Sequence, residues 1–372
     1  MRDLDGHTIG VRIAEARGRR GLTQADLASE ISLDRSALAK IEIGARRVTA
    51  IELAQIADAL GERIEWFLTE PTPAIVSHRN FREPGAVESV IDAQIERVAR
   101  HVEFVAEHDQ AFTLRSPAPR ECPDGVRAAE NMAAHTRAEL NLAPDAPLLD
   151  ISRRASDLGL LTFAFRLGPD AADAASILLT TGGVALVNGD LKVGRRRLAV
   201  AHEIGHFLCA DEYTVDWRVA EQPDPEAREA RLDRFARALL LPEAGLRRPW
   251  NSMEDGEFRE AAVRLASTYR VDMSTLARRL VELGLASNGR ADAVRKMRTT
   301  RADIVEFDLI VTDELAPAPV HLPHSYETSV LRLYRDETIS GPRAIDLLFD
   351  SWAEDDLPEL PELPRESIWS FV

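Results

Sequence analysis

Arg196-Arg197-Leu198-Ala199-Val200-Ala201-His202-Glu203-Ile204-Gly205-His206-Phe207-Leu208 is the stretch from which the rest of the chain is read. Its centre fits the pattern H-E-x-x-H. On a helix, residues i and i+4 project from one face, so His202 and His206 can hold a single metal ion. Glu203 sits about 100° round the helix from His202, able to reach a water on that ion without being a ligand. Leu198, Val200, Ile204, Phe207 and Leu208 predict a largely buried helix, where two imidazoles and a carboxylate are costly without a metal or another partner. A five-residue pattern also arises by chance, so this reading needs a third ligand.

Catalytic zinc keeps three protein ligands and one open position. Downstream, residues 225–242 predict a helix begun near Pro225 and closed by Pro242, with Leu232, Phe235, Ala236, Leu239 and Leu240 on its buried face. Glu229 and Asp233 are i and i+4 on this helix. A glutamate ligand followed four residues later by an acid that hydrogen-bonds a ligand histidine is a workable design for such a site. Glu226 and Asp233 remain alternative ligands.

Ala201-His202-Glu203-Ile204-Gly205-His206, followed by Phe235-Ala236-Arg237-Ala238-Leu239-Leu240-Leu241-Pro242, resembles the ImmA/IrrE metallopeptidase family. Val187-Asn188 and Arg196-Arg197-Leu198 fit the same pattern, and the resemblance covers residues 128–250. It implies a zincin-like domain of the gluzincin type, a zinc metalloendopeptidase with Zn²⁺ as cofactor, His202, His206 and Glu229 as ligands, and Glu203 as the catalytic base. The sequence departs from the family's commoner spacing in having Arg231 where a second glutamate often sits.

Residues 9–68 predict five short helices. Gly21 ends the first, Thr23 is a suitable N-cap for Gln24 to Glu30, a turn at residues 32–34 leads into Arg35 to Ile43, and Gly44 stops that helix. Two short helices across a tight turn, the second carrying small and basic residues, make a helix-turn-helix. Residues 21–28, 36–44 and 57–61 resemble the lambda-repressor/Cro-like (XRE) family. The resemblance implies that Arg35, Ser36, Ala37 and Lys40 face the major groove of double-stranded operator DNA. Gln24, Arg46 and Arg47 would meet its phosphates.

The net charge of −16 excludes indiscriminate nucleic-acid binding. It is unevenly spread. Residues 301–372 hold 5 Arg and 16 acids, whereas residues 1–70 hold 10 basic and 12 acidic side chains. DNA contact must therefore come from a local basic surface. Two cysteines, Cys122 and Cys209, are too few for a disulfide framework, and the N-terminus lacks the apolar core of a signal peptide. The expectation is a cytoplasmic protein without a membrane span.

The expected fold is mainly α with a small β-sheet (α+β). The domains would be a helix-turn-helix at residues 1–70, a connector at 71–125, a zincin-like metallopeptidase at 126–290 and an acidic C-terminal region at 291–372. In the connector, apolar residues at 87, 91, 95, 98, 102 and 105 predict a long amphipathic helix. That stripe suits a homodimer contact and suits packing on the chain's own catalytic domain equally well. Leu160 to Phe165 predicts a strand, and 176–180 with 184–188 a hairpin whose first strand is a candidate edge for an extended substrate. Residues 258–285 predict a second helix-turn-helix-like pair capped at Ser274, and 304–312 a strand. Residues 325–336 and 341–352 predict helices, and the Pro-rich acidic stretch 357–364 predicts extended chain.

The expected function is a DNA-binding transcriptional regulator whose zinc peptidase domain hydrolyses a peptide bond of a regulator protein in a stress or phage/toxin-antitoxin-type switch. The rival is a non-proteolytic antitoxin-like or phage-type repressor using the metal domain as a sensor or structural module. A third is a peptidase that its N-terminal module only localises.

Overall fold

The computed structural model describes residues 6–60, 64–68, 77–78, 86–116, 120–169, 171–209, 225–252, 258–309 and 318–360. The chain divides into two units, residues 1–72 with 83–90, and residues 73–82 with 91–372.

The first unit holds α1 (Gly6–Arg19), α2 (Gln24–Glu30), α3 (Arg35–Glu42), α4 (Ala50–Leu60) and α5 (Ile64–Leu68). Thr23 starts α2 with a reciprocal capping box: its hydroxyl accepts from the Asp26 N–H, while the Asp26 side chain accepts from the Thr23 N–H at 2.8 Å. Ser32 turns the chain between α2 and α3 in the left-handed region, at φ 54°. Ile13, Leu27, Leu38, Ile56 and Phe67 are fully buried and form the core. Gly10 lets α1 close on α3, since a Cβ there would lie 2.2 Å from the Ile41 carbonyl oxygen.

The second unit is built on a four-stranded sheet. Its strands are β1 (Ser77–His78), β2 (Leu160–Phe165), β3 (Ala174–Leu178) and β4 (Gly183–Asn188), in the order β1-β3-β4-β2. β2 and β4 are parallel, from Leu160 opposite Gly183 to Phe165 opposite Asn188. β3 runs antiparallel to both β4 and β1. β2 and β4 are buried throughout, which explains why their sequences are continuous apolar runs.

Alternate strand residues serve two different cores. Leu160, Ala174, Ala185 and Val187 join a cluster with α7 (Val126–Glu139), α8 (Ile151–Leu158), α9 (Val193–Leu208), α10 (Pro225–Leu240), α11 (Glu243–Asn251), α12 (Phe258–Tyr269), α13 (Met273–Glu282) and α14 (Asn288–Lys296). Leu161, Phe163, Ala175, Ile177, Val184 and Leu186 join the other cluster, with α6 (Ala86–His108), α16 (His324–Arg335) and α17 (Gly341–Leu347). The sheet is thus covered by helices on both faces.

The amphipathic stripe of α6 is consumed here. Ile91, Ile95, Val98, Val102 and Val105 are buried against Phe163, Tyr326, Val330 and Leu347. This is the second of the two uses open to it, so the stripe no longer argues for a dimer. The acidic C-terminal region likewise supplies core residues rather than standing apart.

Three local expectations need correction. Residues 304–309 are not a strand: Thr300 caps α15 (Arg301–Glu306) through a capping box with Asp303, which outweighs the weak alternation of apolar residues. Residues 310–312 lie outside the described residues. The α13 cap is Asp272, which accepts from Thr275 N at 2.8 Å, and not Ser274. The first strand of the expected hairpin begins at Ala174, and it is not the outermost strand, because β1 pairs with it. Residues 357–360 contain no helix, and 361–364 lie outside the described residues.

Candidate metal centre

α9 lies on β3 and β4 and against α10. Two close approaches set its position. Phe207 seats over Gly183, where a Cβ would come within 2.9 Å of its ring. Gly205 lets α10 approach, since a Cβ there would meet Phe235 Cδ1 at 2.9 Å and Leu232 Cδ2 at 3.3 Å. Buried arginines tie the helix to its surroundings. Arg197 donates to the Leu149 carbonyl at 2.7 Å and to that of Leu148, and Arg196 donates to those of Leu191 at 2.7 Å and Gly189 at 2.9 Å. Burial lowers the Arg197 pKa to about 10, which leaves it charged at neutral pH.

This packing brings the three candidate ligands together. His202 Nε2 lies 2.9 Å from His206 Nε2 and 3.1 Å from Glu229 Oε2, and His206 Nε2 lies 3.4 Å from the same oxygen. Tetrahedral zinc with bonds of about 2.0–2.1 Å would space its ligand atoms about 3.3 Å apart, so the three fit one ion after shifts of a few tenths of an ångström. Nitrogen, nitrogen and carboxylate oxygen are also a donor set that zinc accepts. Burial opposes ionisation of Glu229, but hydrogen bonds to His202 and His206 hold its carboxyl well below the usual carboxylate range. No other group of three or more such side chains converges among the described residues.

Glu229 is thus the third side chain of the cluster. Asp233 lies on the opposite side of His202, with Oδ1 3.0 Å from Nδ1. That contact orients the ring so that Nε2 points toward His206 and Glu229. The side chain of Glu226, the other alternative, lies outside the described residues. Behind Asp233 runs a chain of charges not foreseen from sequence. Arg237 lies 3.7 Å from Asp233 and donates to Glu282 at 2.9 Å. Arg279 lies 3.7 Å from Glu282 and donates to Glu130 at 2.7 Å, and Arg234 reaches Glu130 at 2.8 Å. Despite burial, these arginines lower the Glu130 pKa.

Glu203, next to His202 on α9, is fully buried. Its Oε2 accepts a 2.6 Å hydrogen bond from Ser176 Oγ, and its Oε1 is buried with no hydrogen-bond partner among the described residues. Ser176 lies on the α9-facing side of β3, because its neighbours Ala175 and Ile177 face the other core. Nothing in residues 174–178 links that serine to a motif 27 positions away, so the contact is not legible in the sequence. Cys209 is fully buried just beyond α9, and Cys122 Sγ donates to its carbonyl oxygen at 3.7 Å.

In the first unit, Arg35, Ser36 and Lys40 are exposed along α3, and Ala37 is half-buried among them, while Leu38, Ile41 and Glu42 face inward. Arg47 is exposed. Gln24 is turned inward, donating to Glu42 Oε2 at 2.7 Å, and Glu42 also pairs with Arg17 at 2.6 Å. Arg46 donates to Glu52 at 2.6 Å.

Residues 155–281 match the family model described as the IrrE N-terminal-like domain, and residues 13–67 match the helix-turn-helix model. Two solved structures align at low similarity. PlcR of Bacillus thuringiensis, in complex with the peptide PapR7 and DNA, is 13% identical with a TM-score of 0.18, over 92% of this chain and 95% of that one. The apo form of ComR from S. thermophilus is 13% identical with a TM-score of 0.16, over 78% of this chain and 91% of that one. No curated protein matches. The chain joins an XRE-type helix-turn-helix domain to an ImmA/IrrE-type domain of a metallopeptidase family in one polypeptide.

Proposed function

We propose that this protein is a DNA-binding transcriptional regulator whose IrrE-like domain is a zinc-dependent metalloendopeptidase acting on a peptide bond of a regulator protein, in a stress or phage/toxin-antitoxin-type switch. The observation that carries the reading is the convergence of His202 Nε2, His206 Nε2 and Glu229 Oε2 beside the buried Glu203. His202, His206 and Glu229 would hold the ion. Zinc bound there supplies a Lewis acid for the substrate carbonyl and lowers the pKa of water to about 7. Ser176 occupies Glu203 Oε2, which leaves Oε1 as the atom that accepts the proton from water and returns it to the leaving amine. The exposed face of α3 (Arg35, Ser36, Ala37 and Lys40) is assigned to the major groove, and Arg47 to a phosphate. Gln24, which donates to Glu42, and Arg46, which donates to Glu52, are assigned to neighbouring phosphates.

Metal analysis tests the centre: one zinc per chain is expected, lost in His202→Ala/His206→Ala. Glu203→Gln is expected to keep zinc and operator DNA and to lose the switch in a reporter strain. Identical regulation by wild type and Glu203→Gln would sink the proteolytic reading.

A further inference from the structure

A sheet edge is a row of N–H and C=O groups that an extended polypeptide can extend by one strand. Two such edges exist in principle in the second unit. On the β2 side, Ala164 exchanges paired backbone hydrogen bonds of 2.9 Å with His321, and β4 separates this edge from β3. The β3 side is the one beside the metal helix, because Ser176 on β3 donates directly to Glu203.

That second edge is taken by the chain itself. β1 lies antiparallel on β3, with Ser77 opposite Ser176 and His78 opposite Ala175. Directly opposed residues in such a ladder have Cα atoms about 5 Å apart. The backbone at Ser77 is therefore one strand spacing from the residue that hydrogen-bonds the proposed base. β1 comes from residues 73–82, which lie in sequence between the two parts of the first unit.

We propose that Ser77–His78 is a resident occupant of the peptide-binding edge of the peptidase, and that an extended substrate segment adds to β3 only when this strand leaves. The proposal rests on the peptidase reading above and specifies its regulation and its substrate form, an extended segment antiparallel to β3. Tethering places the resident strand at an effective concentration on the order of millimolar, so a free peptide of similar intrinsic affinity is displaced from the edge.

The test uses the full-length chain stripped of metal by a chelator, so that pairing is read without hydrolysis. Of two adjacent strand residues, one has its N–H in the ladder and the other has it turned away, so Ser77→Pro/His78→Pro removes the ladder donor whichever it is. The probe is a fluorescein-labelled peptide of residues 73–82, followed by anisotropy. The variant should bind it at least ten-fold more tightly than wild type, and the amides in 174–178 that point toward β1 rather than β4 should exchange with deuterium at least ten-fold faster in the variant without peptide. Replacing residues 74–79 with a Gly/Ser segment should reproduce both results and guards against a folding defect from proline. Equal binding by variant and wild type, absence of binding to either, or unchanged exchange overturns the proposal. Zinc content measured on undepleted samples keeps the two readings apart: a chain that binds no zinc but shows strand displacement fails the metal reading alone.

Discussion

His202 Nδ1 and Asp233 Oδ1 are 3.0 Å apart, on the side of the imidazole away from His206 and Glu229. In the proposed centre, a carboxylate at this place would favour the proton on Nδ1 and so keep the Nε2 lone pair for the metal. Removing the charge while keeping the shape should therefore act on metal affinity first.

Asp233→Asn is expected to weaken zinc binding about 10- to 100-fold, with little change in the metal-free protein's fold. Competition against a fluorescent chelator reads this directly. Unaltered affinity would remove Asp233 from the centre.

Gly205→Ala sets two effects against each other. Alanine is favoured over glycine inside a helix by up to about 1 kcal/mol, whereas the new methyl would stand 2.9 Å from Phe235 and 3.3 Å from Leu232. Overpacking of a filled interface costs about 1–3 kcal/mol, so destabilisation should win. Thermal unfolding of the metal-free chain checks the sign, and a raised Tm would contradict the packing account.

His101 predicts a pH dependence in the second unit. It is buried on α6, and burial lowers its pKa to about 3 from 6.5, with Asp346 opposing the shift and Arg97, Arg343 and Arg100 adding to it. The folded state thus keeps the ring neutral where the unfolded chain protonates it. The associated stability is full above pH 6.5 and is lost as pH falls toward 3, by up to about 1.4 kcal/mol per pH unit. His101→Gln should flatten the stability difference between pH 7.5 and 5. A slope equal to that of wild type in denaturant titrations would exclude the ring as its source.

Arg35→Ala and Lys40→Ala test the DNA face. Lys40, assigned to the major groove, also brings a positive charge close to the phosphates, so its loss should weaken binding to all sequences and reduce the salt slope by about one unit. If Arg35 reads a base, its loss should cost about 1–3 kcal/mol for the operator alone. Parallel titrations on operator and random duplex at two salt concentrations distinguish the roles, and unchanged binding by both variants would move the DNA surface elsewhere.

Much of the centre was legible because helical spacing is a local rule. His202, Glu203 and His206 are placed by one helix, and Glu229 and Asp233 by another with clear Pro boundaries at 225 and 242. What escaped reading was long-range. Ser176 reaches Glu203 through the pleat of a strand, and Arg237 reaches Glu282 across 45 residues. Residues 304–309 depart from the strand expectation for a different reason: a capping box at Thr300 and Asp303 is a stronger start signal than short apolar alternation is a strand signal. The helix stripe on α6 was recognisable, but a stripe does not name its partner, and only the structure supplies Phe163 and Tyr326.

The family match spans residues 155–281, yet α6 before it and α16 and α17 after it fill one face of the same sheet. A fragment cut at the match boundaries would uncover Phe163, Ile177, Val184 and Leu186 together, an adhesive surface rather than a free-standing catalyst. The portable piece for transplantation into another protein is thus longer at both ends than its family resemblance, from Ile91 through Leu348.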